Sequence, residues 1–423
     1  MAQVASSEVS LDIELLKDEA GGLMWEEGIA TITFYKGDFT RQCEALRSQF
    51  DKVVAFNPWL AGRLVKTKEG SRLRHPSAPS ASDIDALFKT ASADDAAALK
   101  LKHTSPYTET CKQMYKSKKV IVGNGGATLG KNAPLTLLTM TESTPGEFSV
   151  VFSLSHVIAD GRTYYEVLKM LQPGSEVREL STKRVMSFSE KMKDNCGRKE
   201  LEWIETVPAM CMWMCPILPT MCGCGKKAKC VAFHLDENRL ARAKSEGARE
   251  GGVPYVSTND ILTSGFFNAT NTRIGMMGMD CRNKIEGIGS DLAGNYVTAL
   301  TMDPDTFATP ATVRKMLSSK PYKTTGRPLP SCCKWFVGGE GKVNFSMVTN
   351  WSSFAGNLLQ LEGCEMVIHL PVQNPAHCIF DLMIPFASGA GKFGVICWTI
   401  STDEDGLREA LPVGERVSRE LFP

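Results

Sequence analysis

The stretch Glu147-Phe-Ser-Val-Val-Phe-Ser-Leu-Ser-His-Val-Ile-Ala-Asp-Gly161 organises the rest of the chain. Its even positions from 148 to 154 are apolar and alternate mainly with serines, the period of a strand with two different faces. His156 falls on the apolar parity where the strand should end, and Asp160-Gly161 supplies a turn, in which the glycine allows a tight backbone. Beyond the turn, apolar residues recur at helical spacing at Tyr164, Val167, Leu168 and Leu171. The stretch therefore predicts a strand, a turn that carries a histidine and an aspartate, and a helix.

The histidine in this turn has two interpretations. A neutral imidazole near pH 7 can remove a proton from a hydroxyl or an amine if a neighbour fixes its orientation and tautomer. Alternatively, His156 is a core histidine bonded to backbone, and Asp160 is the N-cap of the following helix. The spacing of two residues is too weak a pattern to decide between them.

The length and composition describe a globular protein with more than one core. A chain of 423 residues suggests two domains of roughly 200 residues each. With 48 Lys and Arg against 47 Asp and Glu, the net charge is +1, which gives no reason to expect nucleic acid as a partner. The sequence shows no recognisable secretion signal and no apolar run of about 20 residues, so we expect a cytoplasmic protein without a transmembrane segment.

Strand and helix patterns are mixed along the whole chain, with hairpins, which indicates an α+β architecture rather than a parallel Rossmann sheet. The 172–230 region is less regular, with a predicted charged helix at 191–206, and 76–99 has the composition of a surface connection with a short helix. The predicted strands lie at 30–35, 118–122, 135–140, 230–235, 274–280, 343–351 and 391–398.

A cluster of cysteines and methionines marks the irregular region. Cys211, Cys215, Cys222, Cys224 and Cys230 lack a standard zinc-ligand spacing, so we expect no metal. Peripheral contact with a membrane through 207–230, apolar with lysines behind, is an open alternative. We favour a Met-rich linker that packs across both halves.

Two other sets of residues invite functional interpretations. Cys332-Cys333 lies in a predicted structured turn with no nearby histidine to activate a thiol, and His369 and His377 are interpreted as loop or core histidines. A run of basic residues is suited either to the phosphates of coenzyme A or to a solvated helix face and loop; it contains Arg314, Lys315, Lys320, Lys323 and Arg327.

Five separated motifs resemble those of the chloramphenicol-acetyltransferase-like superfamily, and especially its plant BAHD acyltransferases. Ser155-His-Val-Ile-Ala-Asp-Gly161 is similar to the HxxxDG motif of that superfamily. The other four are Asn57-Pro-Trp-Leu-Ala-Gly-Arg-Leu64, Ser257-Thr-Asn-Asp-Ile-Leu262, Asp280-Cys-Arg282 with Gly294-Asn-Tyr296, and Asn350-Trp351 with Phe354. The DFGWG motif of the BAHD enzymes and the double histidine of wax-ester synthases are absent, which leaves the subfamily and the acceptor open.

The resemblance implies two similar α/β domains joined by a crossover, with an active-site channel between them. On the chain this corresponds to an N-terminal domain at 1–185, a crossover linker at 186–229 and a C-terminal domain at 230–423. It also implies acyl transfer from acyl-CoA, a co-substrate rather than a permanently bound cofactor, to a hydroxyl or amine of a small molecule. Two alternatives stay open: a condensation-like enzyme that uses a carrier-protein thioester, and a non-catalytic binding or scaffold protein.

The resemblance also implies roles for individual residues. His156 would be the general base, and Gly161 would leave room for the donor beside it. Ser353 would stabilise the oxyanion, with Asn350 and Ser352 as rivals. Asp160 would not touch substrate but would pair with Arg282 and hold the turn in place.

Overall fold

The segment 147–161 adopts the strand, turn and helix that its pattern predicts. In the structure, a computed structural model, a strand covers Glu147–Leu154 and a helix covers Gly161–Met170, with Asp160 as its N-cap residue. Residues 10–207, 209, 227–326, 329 and 345–423 are described. Cys211, Cys215, Cys222, Cys224, Arg327 and the Cys332-Cys333 pair lie outside the described residues, as does most of the predicted 207–230 membrane contact.

The strands of the described residues, in chain order, are β1 (Ser10–Glu14), β2 (Ile29–Lys36), β3 (Arg63–Thr67), β4 (Gly70–Pro76), β5 (Phe88–Ala91), β6 (Thr136–Thr144), β7 (Glu147–Leu154), β8 (Lys229–Leu235), β9 (Ile274–Asp280), β10 (Val297–Met302), β11 (Phe345–Val348), β12 (Glu365–Pro371), β13 (Asp381–Gly389), β14 (Lys392–Thr399) and β15 (Val413–Arg416). Six of the seven predicted strands are present, although β11 is shorter than its predicted range.

The α-helices of the described residues cover Leu23–Glu26, Phe39–Phe56, Ala81–Leu87, Ala93–Leu99, Tyr107–Ser117, Gly125–Thr128, Gly161–Met170, Phe188–Cys196, Arg198–Ile204, Glu237–Gly251, Thr258–Ala269, Pro304–Phe307, Pro310–Ser318 and Glu404–Ala410. Nowhere in this described part does a helix combine the length and the apolar character needed to cross a bilayer.

The first compact unit is built around β7. It combines the described residues of Met1–Phe188 with Ile288–Tyr296 and Phe354–Gln373. Its larger sheet has the order β12-β2-β7-β6-β5, in which β7 is antiparallel to both neighbours, and its smaller sheet has the order β1-β4-β3. The predicted N-terminal domain is the continuous range 1–185, whereas this unit also includes the later segments Ile288–Tyr296 and Phe354–Gln373. The reason is that β12, far along the chain, pairs with β2.

Both faces of β7 are buried, which differs from the prediction of two contrasting faces. Ser149 and Ser153 are as inaccessible as the apolar residues beside them, at 0% and 1% exposure. On the other face Phe148 stacks on Tyr35 with ring centroids 5.3 Å apart, and Phe152 contacts Tyr164 at 4.9 Å. The strand lies at the centre of a covered sheet, so its serines are core residues and not solvent-facing ones.

The second unit contains the described residues of Ser189–Gly287, Val297–Ser353 and Asn374–Pro423. Its sheet has the order β10-β9-β11-β13-β14-β8-β15. Ser257 is the N-cap residue of the Thr258–Ala269 helix, and its side chain accepts a hydrogen bond from the backbone N–H of Asp260. Sheets and helices in each unit give the predicted α+β organisation.

One local prediction was wrong, and two others were incomplete. Residues 118–122 are not a strand: Lys118 has a left-handed backbone (φ 54°) that ends the preceding helix, and the apolar residues after it are buried as irregular chain. The predicted 191–206 helix is divided in two at Gly197, whose φ is 95°. The predicted surface connection at 76–99 contains two helices and β5, which pairs with β6.

Candidate active site

His156 lies just after β7, in a turn anchored at both ends. The backbone N–H of Ser155 donates to Leu135 O at 2.8 Å, and that of Ile158 donates to Ser155 O at 3.1 Å. Ser155 and residues 157–160 are buried, whereas His156 is partly exposed. The turn is therefore fixed by the core and presents one side chain outward.

Asn295 holds the imidazole. Its Oδ1 lies 2.9 Å from His156 Nδ1, and its Nδ2 donates to the backbone carbonyl of His156 at 2.7 Å. The backbone N–H of Asn295 and its Nδ2 also donate to Glu19 Oε1, at 2.9 and 3.3 Å. Because Nδ2 faces two acceptors, Oδ1 faces the ring, and Nδ1 of the neutral imidazole carries the proton.

This arrangement leaves Nε2 of His156 with a lone pair. Across the described residues, Nε2 has no hydrogen-bond partner. Loss of water around the ring lowers the pKa of His156 below its ordinary 6.5, and this effect outweighs the opposing ones of its own backbone, Asp160, Asn295 and Glu19. At pH 7 the imidazole is neutral, with a basic nitrogen available.

Behind Asn295, Glu19 and Arg184 form a buried ion pair. Glu19 comes from the 3₁₀ turn Lys17–Ala20, and its Oε2 accepts from Arg184 Nε at 2.8 Å, with side chains 0% and 3% exposed. Arg184 also donates to the carbonyl of Ala293 at 2.8 Å. Gly294 fits against this guanidinium because a Cβ would lie 2.7 Å from Arg184 Cζ, and its φ of 119° also favours glycine.

Asp160 fastens the histidine turn to the segment that carries Asn295. Its Oδ1 accepts from the backbone N–H of Thr163 at 2.9 Å, which caps the helix, and its Oδ2 accepts from that of Tyr296 at 2.9 Å. The helix cap proposed as an alternative is thus present. Arg282, whose side chain is 1% exposed, donates to Asp280 Oδ1 at 2.9 Å. The pairing of Asp160 with Arg282 stays a prediction.

Solved structures with the same architecture include both condensation domains and coenzyme A-bound proteins. The first condensation domain of the calcium-dependent antibiotic synthetase aligns with a TM-score of 0.56 at 11% identity, covering 95% of this chain and 94% of that one. TRI101 of F. graminearum, solved with coenzyme A and T-2 mycotoxin, aligns at 0.54 and 12%, covering 94% and 96%. Polyketide synthase associated protein 5 of Mycobacterium tuberculosis aligns at 0.56 and 14%, covering 95% and 97%.

The chain has the fold of these condensation domains and of TRI101. These matches confirm the fold class predicted from the five motifs, that of the chloramphenicol-acetyltransferase-like superfamily, over nearly the whole chain. At this level of identity they establish the fold alone. No protein-family model matches the sequence, and no curated protein matches it significantly.

Gly161 does not have a left-handed backbone, so the turn that it was predicted to allow is not one that only glycine can adopt. A Cβ at this position would meet only the Phe354 ring, at 3.6 Å, an ordinary contact. The predicted role of Gly161 in leaving room for a donor stays a prediction.

The predicted oxyanion residue belongs to the second unit. Ser353 is exposed, in the 3₁₀ turn Ser352–Asn357. The two alternative oxyanion residues bond to each other. Asn350 Oδ1 accepts hydrogen bonds from the backbone N–H and the hydroxyl of Ser352, at 2.9 and 2.7 Å. Asn350 Nδ2 in turn donates to Asn259 at 2.9 Å. Of the two serines, Ser353 is the more exposed, and the hydroxyl of Ser352 is already bonded to Asn350.

The predicted phosphate-binding residues separate into two kinds. The Arg314 guanidinium pairs with buried Asp260, with Nε 2.8 Å from Oδ2, and lies over the Tyr255 ring at 4.5 Å. This favours a structural role for Arg314. Lys315, Lys320 and Lys323 are exposed and retain the predicted role as candidates.

The described residues contain no group of three or more His, Cys, Asp or Glu that could hold a metal ion. Cys230, the one member of the predicted cysteine cluster that is described, lies on β8. The expectation of no metal at the remaining cysteines stays a prediction.

Sequence reasoning missed three members of the site. Asn295 was part of a recognised motif, but without a role. Glu19 and Arg184 stood in no motif at all. Glu19 contacts Asn295, 276 residues away in the chain, and Arg184, 165 residues away. Neither Glu19 nor Arg184 stands in a strand or helix pattern from which its burial could be predicted.

Proposed function

We propose that this protein is an acyltransferase that moves an acyl group from acyl-CoA to a hydroxyl or amine of a small molecule, with His156 as the general base. One observation carries the proposal. His156 is a neutral imidazole whose Nδ1 proton is committed to Asn295 and whose Nε2 is unbonded among the described residues. A general base needs this combination of fixed tautomer and free lone pair.

In the proposed reaction Nε2 takes the proton from the acceptor as its oxygen or nitrogen attacks the thioester carbonyl. The new C–O or C–N bond forms, the C–S bond breaks, and the imidazolium returns the proton to the departing thiolate. The Nδ1–H bond to Asn295 holds the ring through both transfers. General-base help of this kind is worth about 10² to 10⁴ in rate.

The remaining predicted groups have supporting roles. Ser353 is the proposed donor to the tetrahedral oxyanion, which needs a positioned hydrogen bond. Lys315, Lys320 and Lys323 are proposed to bind the phosphates of coenzyme A, which acts as a co-substrate and is not permanently bound. The proposed compartment is the cytoplasm, on the sequence argument given above.

A second candidate donor is an acyl group on a carrier protein. The similarity to condensation domains of a synthetase favours this candidate. The base chemistry at His156 is the same for both donors, since each presents a thioester. A non-catalytic binding protein would have no need of a fixed tautomer with an open nitrogen.

The test is thiol release from acetyl-CoA and longer acyl-CoAs with a panel of alcohols and amines. A cell extract serves as a broader source of acceptors, and acylated products are detected by mass spectrometry. We expect thiol release that depends on the acceptor and a product heavier by the acyl group. Turnover of carrier-bound thioesters alone would identify the second candidate. Binding of acyl-CoA without turnover in any mixture would contradict the proposal.

A further inference from the structure

Glu19 is a carboxylate with no access to water and with four N–H donors around it. Oε2 accepts from Arg184 Nε at 2.8 Å and from the backbone N–H of Leu16 at 2.9 Å. Oε1 accepts from the backbone and side-chain N–H groups of Asn295, at 2.9 and 3.3 Å. One oxygen therefore serves the N-terminal turn and the ion pair, and the other serves only the residue that holds His156.

A purely structural role does not explain why the two carboxylate oxygens of Glu19 bond to different groups. A buried ion pair is often no more stabilising than packed apolar residues, and Arg184 uses only one oxygen of the carboxylate. An asparagine amide has nearly the same shape when its oxygen and nitrogen are exchanged, so only its hydrogen-bond partners fix its orientation. For Asn295 the second oxygen of Glu19 and the backbone carbonyl of His156 do this together, at 3.3 and 2.7 Å from Nδ2.

We infer that Glu19 is a positioning residue for the proposed acyl transfer, which acts through Asn295 to keep the proton of His156 on Nδ1. Without the acceptor at Oε1, only the backbone carbonyl of His156 holds the amide of Asn295 in this orientation, and the amide can also present its NH₂ group to the ring. The imidazole would then carry its proton on Nε2, and the lone pair needed by the acceptor substrate would be lost. The catalytic part of this inference rests on the proposed function, whereas the tautomer part does not.

The test compares the full-length wild type with Glu19→Gln by ¹⁵N NMR of histidine-labelled protein at neutral pH. His156→Gln identifies the His156 signal. Glutamine keeps the size of Glu19 but replaces one acceptor by a donor. Glu404→Gln is the matched control because Glu404 also pairs with arginines, Arg408 and Arg416, but in the second unit.

We expect Nδ1–H alone in the wild type and in the control, and a mixture of both tautomers in Glu19→Gln. With acyl transfer as a second readout, kcat should fall about 10- to 100-fold, by analogy with residues that orient the histidine ligands of metal sites, while KM changes little. A folded Glu19→Gln protein whose His156 keeps Nδ1–H would overturn the inference.

A second variant covers the case in which Glu19→Gln does not fold. Asn295→Leu leaves the pair of Glu19 and Arg184 in place but removes the amide. It should give the same tautomer mixture, and retention of Nδ1–H would overturn the inference. The NMR readout needs no substrate, so an inactive wild type with the expected tautomer response would count against the proposed function and for the positioning role.

Discussion

Two histidines of the first unit both have a lowered pKa but differ in their exposure and in their hydrogen bonds. His369, on β12, is 0% exposed, and both ring nitrogens are bonded: Nδ1 to Thr33 Oγ1 at 2.8 Å and Nε2 to the Tyr165 hydroxyl at 3.1 Å. Within the described part of the chain, His156 is bonded at Nδ1 alone, and it is partly exposed. Loss of water lowers the pKa of both rings.

The difference teaches that burial and a lowered pKa do not identify a base. His369 has the larger shift, to about 3, yet its lone pair is used inside the core. His156 has an unbonded Nε2 among the described residues, and its other nitrogen is held by Asn295, behind which lies the ion pair of Glu19 and Arg184. Two features therefore distinguish a candidate base from a structural histidine. One is an unbonded ring nitrogen, and the other is a set of hydrogen-bonded residues that fixes the second nitrogen.

The largest expected effect is on turnover. His156→Ala should lower kcat by at least about 10²-fold, with acyl-CoA binding and the fold largely retained, because the ring is partly exposed. Steady-state thiol release and a thermal melt check this. More than about a tenth of wild-type turnover in the variant would place the base elsewhere.

The next largest concerns what holds the His156 turn. If Asp160 pairs with Arg282, Asp160→Ala and Arg282→Ala should each cost roughly 3 to 5 kcal/mol of unfolding free energy, since a buried charge loses its partner. The helix cap alone would cost about 1 kcal/mol, and the bond to the backbone N–H of Tyr296 adds about another. A double-mutant cycle by chemical denaturation distinguishes these cases; additive losses would reject the pair.

The structural histidine should behave in the opposite way. His369→Ala removes the partners of the Thr33 and Tyr165 side chains and leaves a cavity, so we expect a loss of about 2 to 4 kcal/mol in stability. Turnover per folded molecule should stay within about threefold of wild type. Urea unfolding and active-site-normalised rates measure the two effects. A folded His369→Ala protein without activity would erase the contrast between the two rings.

The smallest expected effect is on how the free energy of unfolding depends on pH. The folded pKa of His369 is about 3, below the ordinary 6.5, so the unfolded chain takes up a proton that the folded chain does not. The contribution of His369 to the free energy of unfolding is therefore complete above pH 6.5. It declines as the pH falls towards 3, by up to about 1.4 kcal/mol per pH unit. Denaturation of wild type and His369→Gln at pH 6.5 and 5 should show a shallower slope in the variant. Equal slopes would mean that His369 is not held neutral in the folded protein.

Strong local patterns carried most of the fold. The strand, turn and helix at 147–161 and the strand at Ile274–Asp280 each follow from alternation, turn residues or a helical period. The exceptions have tertiary causes. β12 was missed, and it is defined by its pairing with β2 more than 300 residues away. The buried serines of β7 were misread because alternation cannot show that a sheet is covered on both faces.

The candidate site divides in the same way. His156 and Asp160 could be predicted because they stand in one strand-turn-helix stretch. Asn295 follows an irregular segment with no period, and Glu19 lies in a short 3₁₀ turn. Their importance arises only from hydrogen bonds between parts of the chain that are remote in sequence, which no local pattern encodes.

The central claim, that the Nε2 lone pair of His156 takes the acceptor's proton, is tested most directly by the pH dependence of single-turnover thiol release. Saturating acyl-CoA and acceptor should be used with the wild type and with His156→Ala. The wild-type rate should be level at pH 7 and fall with the uptake of one proton below the lowered pKa of His156, and the residual rate of the variant should lack that acid limb. The same acid limb in His156→Ala would contradict the claim.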